Sequence, residues 1–314
     1  MIKMHRYVIK RILMMIPVLL GISFIIYLIM SLSPGNPAQM ILGERADPAA
    51  IEALNTELGF YDPFFVKYFN YISGVLRGDF GISYQTRLPV LGEILYRFPV
   101  TLKLAFLAII IATSMSIPFG VISAVKQYSV FDKSVTVVAL IFVAMPVFWL
   151  GMILILVFSL KLRWFPVSGI DTWKHFILPA VTLALINVAI DLRMTRSSML
   201  GVIRQDYINT ARAKGLTEKD VIMRHALKNA LIPVITSIGL NLGFLLGGTI
   251  VAESVFGMAG LGSLLLTAIR MKDIPTVTGT VIFLSLLFSI VTLVVDISYG
   301  FFDPKIKAQY QSRR

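Results

Sequence analysis

The segment DYINTARAKGLTEKDVIMRHALKNALIP, Asp206 to Pro233, is a polar and basic stretch set between two long apolar runs. Asp206 suits an N-cap, Tyr207 to Lys214 favour helix, and Gly215 stands where a left-handed C-terminal residue belongs. Thr217, with Asp220 three residues on, repeats a capping-box arrangement and starts a second helix towards Lys228. The segment is thus expected to form two helices joined at a glycine elbow. Ala211 and Ala213 would offer a thin, closely approachable surface just before the bend, a shape suited to insertion into a groove on a partner protein.

The flanking sequence says where this elbow is mounted. The chain is 57% hydrophobic and only 15% charged, a membrane composition. Six runs are long enough to cross a hydrocarbon core of about 30 Å, which takes roughly 20 helical residues. They are Val8–Leu32, Val100–Val125, Val135–Leu160, Phe176–Ile190, Ala230–Ala252 and Val277–Phe301, the fourth being short. Runs so continuously apolar cross lipid as helices, because a helix satisfies its own backbone.

The net charge of +12 is distributed by side. With the N-terminus inside, segments 1–11, 126–133, 191–229 and 302–314 are cytoplasmic and hold 18 of the 29 Lys and Arg residues. The opposite segments 33–98, 161–175 and 253–276 hold 10, which places both termini in the cytoplasm. The long segment 33–98 balances 5 basic against 7 acidic residues, so it is no polyanion-binding surface and nucleic acid is not an expected partner.

The first apolar run exceeds the h-region of a cleaved signal and leads into Ser33-Pro34-Gly35-Asn36-Pro37, so residues 1–32 read as a retained anchor helix. Residues 33–98 form an extracytoplasmic insert. Within it, Ile51, Leu54 and Leu58 share a helix face with Gly59 as the stop, and Asp62-Pro63 opens a second helix, Phe64–Leu76. Residues 99–314 then carry five spans, with the cytoplasmic loop 191–229 among them. The absence of cysteine excludes disulfides and thiolate chemistry.

Several short motifs follow one another in order: Gly78-Asp79-Phe80-Gly81-Ile82-Ser83, Met145-Pro146-Val147-Phe148-Trp149-Leu150-Gly151, Pro166-Val167-Ser168-Gly169 and Leu178-Pro179-Ala180. After Arg193 to Leu200 come Thr210 to Leu216, His225 to Ala230, Glu253-Ser254-Val255-Phe256, Gly260-Leu261-Gly262 and Asp303-Pro304-Lys305. In this order they resemble the permease subunit of binding-protein-dependent ABC importers, specifically the B-type subunit of the dipeptide, oligopeptide and nickel group. The general importer loop has Glu-Ala-Ala, three residues and Gly, followed by an apolar-Leu-Pro ending. Here Asn209, Thr210 and Ala211 occupy the first positions, Lys228 stands at the proline position, and Pro233 falls five residues late.

The resemblance implies an all-α polytopic fold of six transmembrane helices, one N-terminal helix plus a five-helix permease core. It places the chain in a bacterial or archaeal inner membrane. It also implies a second permease subunit, two cytoplasmic ATPase subunits that bind ATP and Mg, and an extracytoplasmic substrate-binding protein. No cofactor is expected on this chain. Di- or oligopeptides are the expected cargo, nickel or a metal chelate the alternative, and a proton-coupled secondary transporter the rival of another class. The ATPase-coupling residues implied are Asp206, Tyr207, Thr210, Ala211, Arg212, Ala213, Lys214, Gly215, Leu216, His225 and Asn229. Arg212, Lys214, Arg224 and Lys228 either pair with acids on the ATPase or serve only as topology determinants and snorkelling anchors.

Polar residues within the spans are functional candidates. Asp296 is either a proton relay or a boundary ion pair, and Asp191 and Arg193 read the same way where the fourth span leaves the membrane. Asn187, Asn241 and Ser285 either line a polar path or join helices. Glu253, with Phe256, Gly260 and Gly262, is either part of an external gate or a plain helix terminus. Met145-Pro146 and Pro118 are either kinks or breaks in a transport path. His5, His175 and His225 lie in three different segments, and no catalytic motif or P-loop appears; Gly247-Gly248-Thr249 reads as a close-packing site.

Overall fold

The computed structural model describes residues 2–32, 35–43 and 45–302. Ser33-Pro34, Asp303-Pro304-Lys305 and most of the tail 302–314 lie outside the described residues.

The described residues are helical, without a strand. The order is α1 (Ile2–Ser31), α2 (Pro37–Leu42), α3 (Pro48–Glu57), α4 (Phe64–Leu76), α5 (Val90–Val125), α6 (Val130–Ala144) and α7 (Val147–Leu154), which ends in a π-helical turn, Ile155–Lys161. After α8 (Lys174–Ile203) and α9 (Asp206–Ala213) come α10 (Glu218–Asp220), a π-helical turn (Val221–Ala226) and α11 (Leu227–Gly248). The chain ends with α12 (Ile250–Val255), α13 (Leu261–Arg270) and α14 (Ile274–Phe302). Five helical stretches are long and apolar enough to cross a membrane, and the bent pair Val130–Ala144 with Val147–Lys161 makes the sixth.

Four spans differ from the sequence expectation. The second begins at Val90, ten residues early, so the boundary expected between residues 98 and 99 falls inside α5, which carries Pro99 and Pro118. The third, Val135–Leu160, is not one rod: α6 and α7 meet at 105°. Met145 takes an extended conformation (φ −80°, ψ 129°) before Pro146, as the proline ring demands of its neighbour.

The fourth span runs well past Ile190, to Ile203. Asp191 and Arg193 are the expected exit signals, but the helix continues past both. Ser237 and Asn241 donate to Asp191 at 2.8 and 2.9 Å, so Asp191 is a buried mid-helix residue rather than a boundary ion pair. Its second carboxylate oxygen is buried without a hydrogen-bond partner among the described residues. The fifth span grows in the opposite direction. The helix capped by Thr217 continues through the π turn without a break into the membrane, as one rod from Glu218 to Gly247. The expected loop 191–229 therefore shrinks to α9 and its two short joints.

α5 and α8 form the central crossing, and small residues let them approach. A Cβ at Gly120 would lie 2.6 Å from the Thr195 Cβ, and Ala105, Ala108, Ala112 and Ala184 are fully buried around the same contact. α11 packs on α14 through Gly239 and Gly243, where a Cβ would meet Val295 at 2.3 Å and Phe288 at 3.0 Å. Gly247, expected to be a close-packing site, has nothing near its Cβ position. Arg11 on α1 pairs with Asp296 on α14 at 3.0 Å, which decides Asp296 in favour of the boundary ion pair. Asn241 joins α11 to α8, whereas among the described residues Asn187 and Ser285 donate only to carbonyls of their own helices.

The insert is fastened at both ends. Tyr68 of α4 packs among Phe24, Tyr27 and Phe64. At the other end, Ser83 and the Tyr84 backbone N–H donate to the buried carboxylate of Asp273, and Phe80 rests where a Cβ on Gly279 would come within 3.1 Å. The Gly78–Ser83 motif is thus a clasp on the start of α14.

Candidate functional site

The elbow is present, and it is locked. Gly215 has φ +78° in open surroundings, a conformation that glycine adopts without the Cβ penalty. Thr217 accepts from the Asp220 N–H at 3.2 Å and donates to its carboxylate at 2.7 Å. Arg212 reaches across the bend to Glu218 with two bonds, of 2.8 and 3.1 Å, which hold its guanidinium pKa above the usual value. Asn229 donates to the Tyr207 hydroxyl at 2.8 Å, and the His225 carbonyl accepts a second Asn229 bond at 3.3 Å.

α9 differs from expectation in two respects. Gln205 holds the N-cap position without a side-chain capping bond, and Asp206 is the first helical residue. More consequentially, Ala211 is only 6% exposed. With Ile208, fully buried, it forms the underside of α9 and packs on Val121 and Ala124 of α5, Met199 of α8, and Val221, Ile222 and Ala226 in the turn below α11. The free crest is the opposite face: Asp206, Asn209, Thr210 and Ala213 are exposed, as are Lys214, Gly215 and Leu216 beside it. Of the two alanines expected to approach a partner, Ala213 faces outward and Ala211 inward. Arg212 and Arg224 have acidic partners within the chain, Glu218 and Asp220, whereas Lys214 and Lys228 form no ion pair among the described residues.

A clamp that sequence reading missed stiffens this seat. Asp132, at the start of α6, accepts from Arg196 Nε at 2.7 Å and Nη2 at 2.9 Å, from the Tyr128 N–H at 2.9 Å, and from the Ser123 hydroxyl. It thereby ties α5, α6 and α8 together beside α9. A bidentate arginine fork of this kind fixes orientation as well as distance.

At the far end of the bundle, the four candidate gate residues converge on the α12–α13 turn. Glu253 is fully buried, accepting from Thr101 (2.6 Å), Thr249 (2.9 Å) and the Ser263 N–H (3.0 Å), while Thr101 in turn accepts from the Leu261 N–H at 2.8 Å. A Cβ on Gly260 would fall 2.4 Å from the Glu253 carboxyl carbon, and one on Gly262 would fall 2.5 Å from the Ile250 Cα. Both positions therefore require glycine. Phe256, 2% exposed, packs on Gly151 of α7 just beyond the 105° bend. Glu253 is thus more than a plain helix terminus, since it pins the whole turn to α5.

Comparison with known proteins accords with this architecture. Residues 116–308 match the family described as binding-protein-dependent transport system inner membrane component, and residues 4–105 match its N-terminal domain. The chain is 42% identical to the glutathione transport system permease protein GsiC of Escherichia coli (strain K12) over 97% of its own length and 99% of the relative's. The same protein of Shigella dysenteriae serotype 1 (strain Sd197) matches at 42% with equal coverage. An inward-facing structure of the MetNI methionine ABC transporter shares the fold, with a TM-score of 0.57 at 20% identity over 67% of this chain and 96% of that one. With its six spans, the chain belongs to the family of inner membrane components of binding-protein-dependent transport systems, as a permease subunit of an ABC importer.

Proposed function

We propose that this permease carries short peptides of the glutathione kind inward, and that the α9 crest is the surface an ATPase subunit pushes. The observation that carries the coupling half is the underside of α9. Ile208 and Ala211 are packed against the ends of α5, α8 and α11 at once, so force on the crest reaches three spans through a close-packed contact rather than through a slack loop. Asp206, Thr210, Ala213, Lys214 and Leu216 present the crest, while Tyr207, Arg212, Gly215, His225 and Asn229 hold its shape.

The same proposal supplies the remaining parts. A second, similar permease completes the translocation path, two ATPase subunits carry ATP and Mg, and an extracytoplasmic binding protein delivers cargo. This chain contributes no nucleotide site of its own. Glu253, Phe256, Gly260 and Gly262 brace the external end of the path. Peptide cargo is supported by 42% identity with a glutathione permease over nearly the full length of both proteins. In the assembled transporter, labelled glutathione or a dipeptide should accumulate in vesicles with ATP, and excess nickel should not compete. ATP-dependent accumulation of nickel, with no peptide uptake, would replace the cargo assignment with a metal one.

With the crest facing the ATPases, both termini are cytoplasmic. The chain has no native cysteine, so single reporters can be placed on a clean background. Cysteine at Thr172 should react with an impermeant thiol reagent added outside, and cysteine at Lys219 should not. Glu57, which is exposed, serves as a second external position, whereas its neighbour Asn55 is fully buried. External labelling at Lys219 would invert the topology and remove α9 from the ATPases.

A further inference from the structure

The insert between the first two spans reads in sequence as a water-side element, yet α4 sits too deep along α1 for that. The Arg11–Asp296 pair marks one membrane boundary on α1. Counting about 20 residues at about 1.5 Å each from there puts the other boundary near Ser31. Tyr68 of α4 hydrogen-bonds the Ser23 hydroxyl at 2.9 Å and the Leu20 carbonyl at 3.2 Å. Ser23 lies roughly 12 Å inside that second boundary by the same rise per residue. Phe64 meets Phe24 and Tyr27 on one side of this contact and Tyr71 meets Tyr27 on the other, so by the same count α4 crosses α1 roughly 6–12 Å inside that boundary.

α4 has three faces, and each suits a different neighbour. Phe64, Tyr68 and Tyr71 turn to α1. Asn70 and Ser73 are exposed on a second side, which they share with Val66, 45% exposed. Phe65, Phe69, Ile72 and Leu76, spaced i, i+4, i+7 and i+11, form an apolar stripe between the two, with Phe65 62%, Phe69 64% and Leu76 82% exposed. Lys67, on the remaining flank, draws its ammonium back to the Phe60 carbonyl at 3.0 Å and over the Phe60 ring, away from the stripe.

We infer that α4 is an interfacial membrane helix: its Phe65–Phe69–Ile72–Leu76 stripe is covered by lipid acyl chains of the leaflet opposite the Arg11–Asp296 pair, and Asn70 and Ser73 face the water. A helix whose apolar face enters the acyl boundary by about 5–10 Å has this depth and this division of faces. The arrangement has a consequence for the clasp. α4 leads through Gly78 directly into Phe80 and Ser83, which hold Gly279 and Asp273, so the bilayer anchors one end of the segment that grips α14. The inference stands on contact depth and does not depend on the cargo or on α9.

Spin labels on single cysteines test it in the assembled transporter reconstituted in liposomes. Labels at Phe65, Phe69 and Leu76 should collide readily with oxygen and poorly with a water-soluble nickel chelate, and a label at Asn70 should show the reverse. A label at Phe69 as accessible to the nickel chelate as the one at Asn70 would overturn the inference in favour of a solvated face. Low accessibility of Phe69 to both reagents would overturn it in favour of a covering protein subunit. Circular dichroism and sizing of each labelled complex would show that the spans are intact, so that either result bears on α4 itself.

Discussion

Ile208→Asp should abolish uptake and binding-protein-stimulated ATP hydrolysis while all six spans remain inserted. Ile208 is fully buried under α9, and a carboxylate there has no cation to meet in a cluster of Val121, Ala124, Met199, Val221 and Ala226. Burying an unpaired charge costs several kcal/mol, more than the seating of one short helix supplies, so α9 should lift off its platform instead. Its helical hydrogen bonds and the Arg212–Glu218 bridge are local and should survive, leaving a crest able to dock but unable to push. The expected loss of uptake is at least tenfold. Ile208→Val, costing about 0.5–1.5 kcal/mol, should transport nearly normally. Gly215→Val should fall between them: nothing obstructs the added atoms, but φ +78° strains a β-branched residue by about 1 kcal/mol or more. Cysteine crosslinking from Ala213 to the ATPase locates the fault. Undiminished transport by Ile208→Asp would show that force does not pass through the underside of α9.

The sequence made the membrane architecture legible because spans are written as composition, and the elbow legible because Gly215 and Thr217 announce themselves locally. The orientation of α9 was harder to see. Ala211 and Ala213 look equivalent as small residues near a bend, and their difference is set by what lies beneath them. A signal was nevertheless present: Ile208, the one large aliphatic residue of α9, has Ala211 three residues on, the spacing of a shared face, whereas Ala213 is five residues on. The extent of α8 was illegible for a related reason. Asp191 reads as a membrane exit until Ser237 and Asn241, distant in sequence, are seen to satisfy it. Asp273 gave no warning, since the clasp it closes joins residues 190 apart in the chain.

The α12–α13 turn should prove the least tolerant place in the chain, and Glu253→Ala should show it. The Glu253 carboxylate is the acceptor for Thr101, Thr249 and the Ser263 N–H in a fully buried site. Alanine strands three donors, each costing about 1–3 kcal/mol when buried and unpaired. It also frees Thr101, whose hydroxyl receives the Leu261 N–H and so holds the first turn of α13 to α5. The combined loss is comparable with the whole stability of many domains, so the variant should fail to accumulate or should melt far below the parent. Glu253→Gln separates support from charge. One amide orientation sets an N–H against the Ser263 N–H, and the other leaves the two threonine protons without an acceptor, so either way part of the network survives. The expected order of thermal stability in detergent is therefore Glu253, then Gln, then Ala, with Thr101→Val lowering it as well. Additive losses in Glu253→Ala combined with Thr101→Val would contradict a shared network, because coupled residues must lose less together than the sum of each alone. An alanine variant as stable as the parent, yet slow in uptake, would instead make Glu253 a gate group that the turn does not need for its shape.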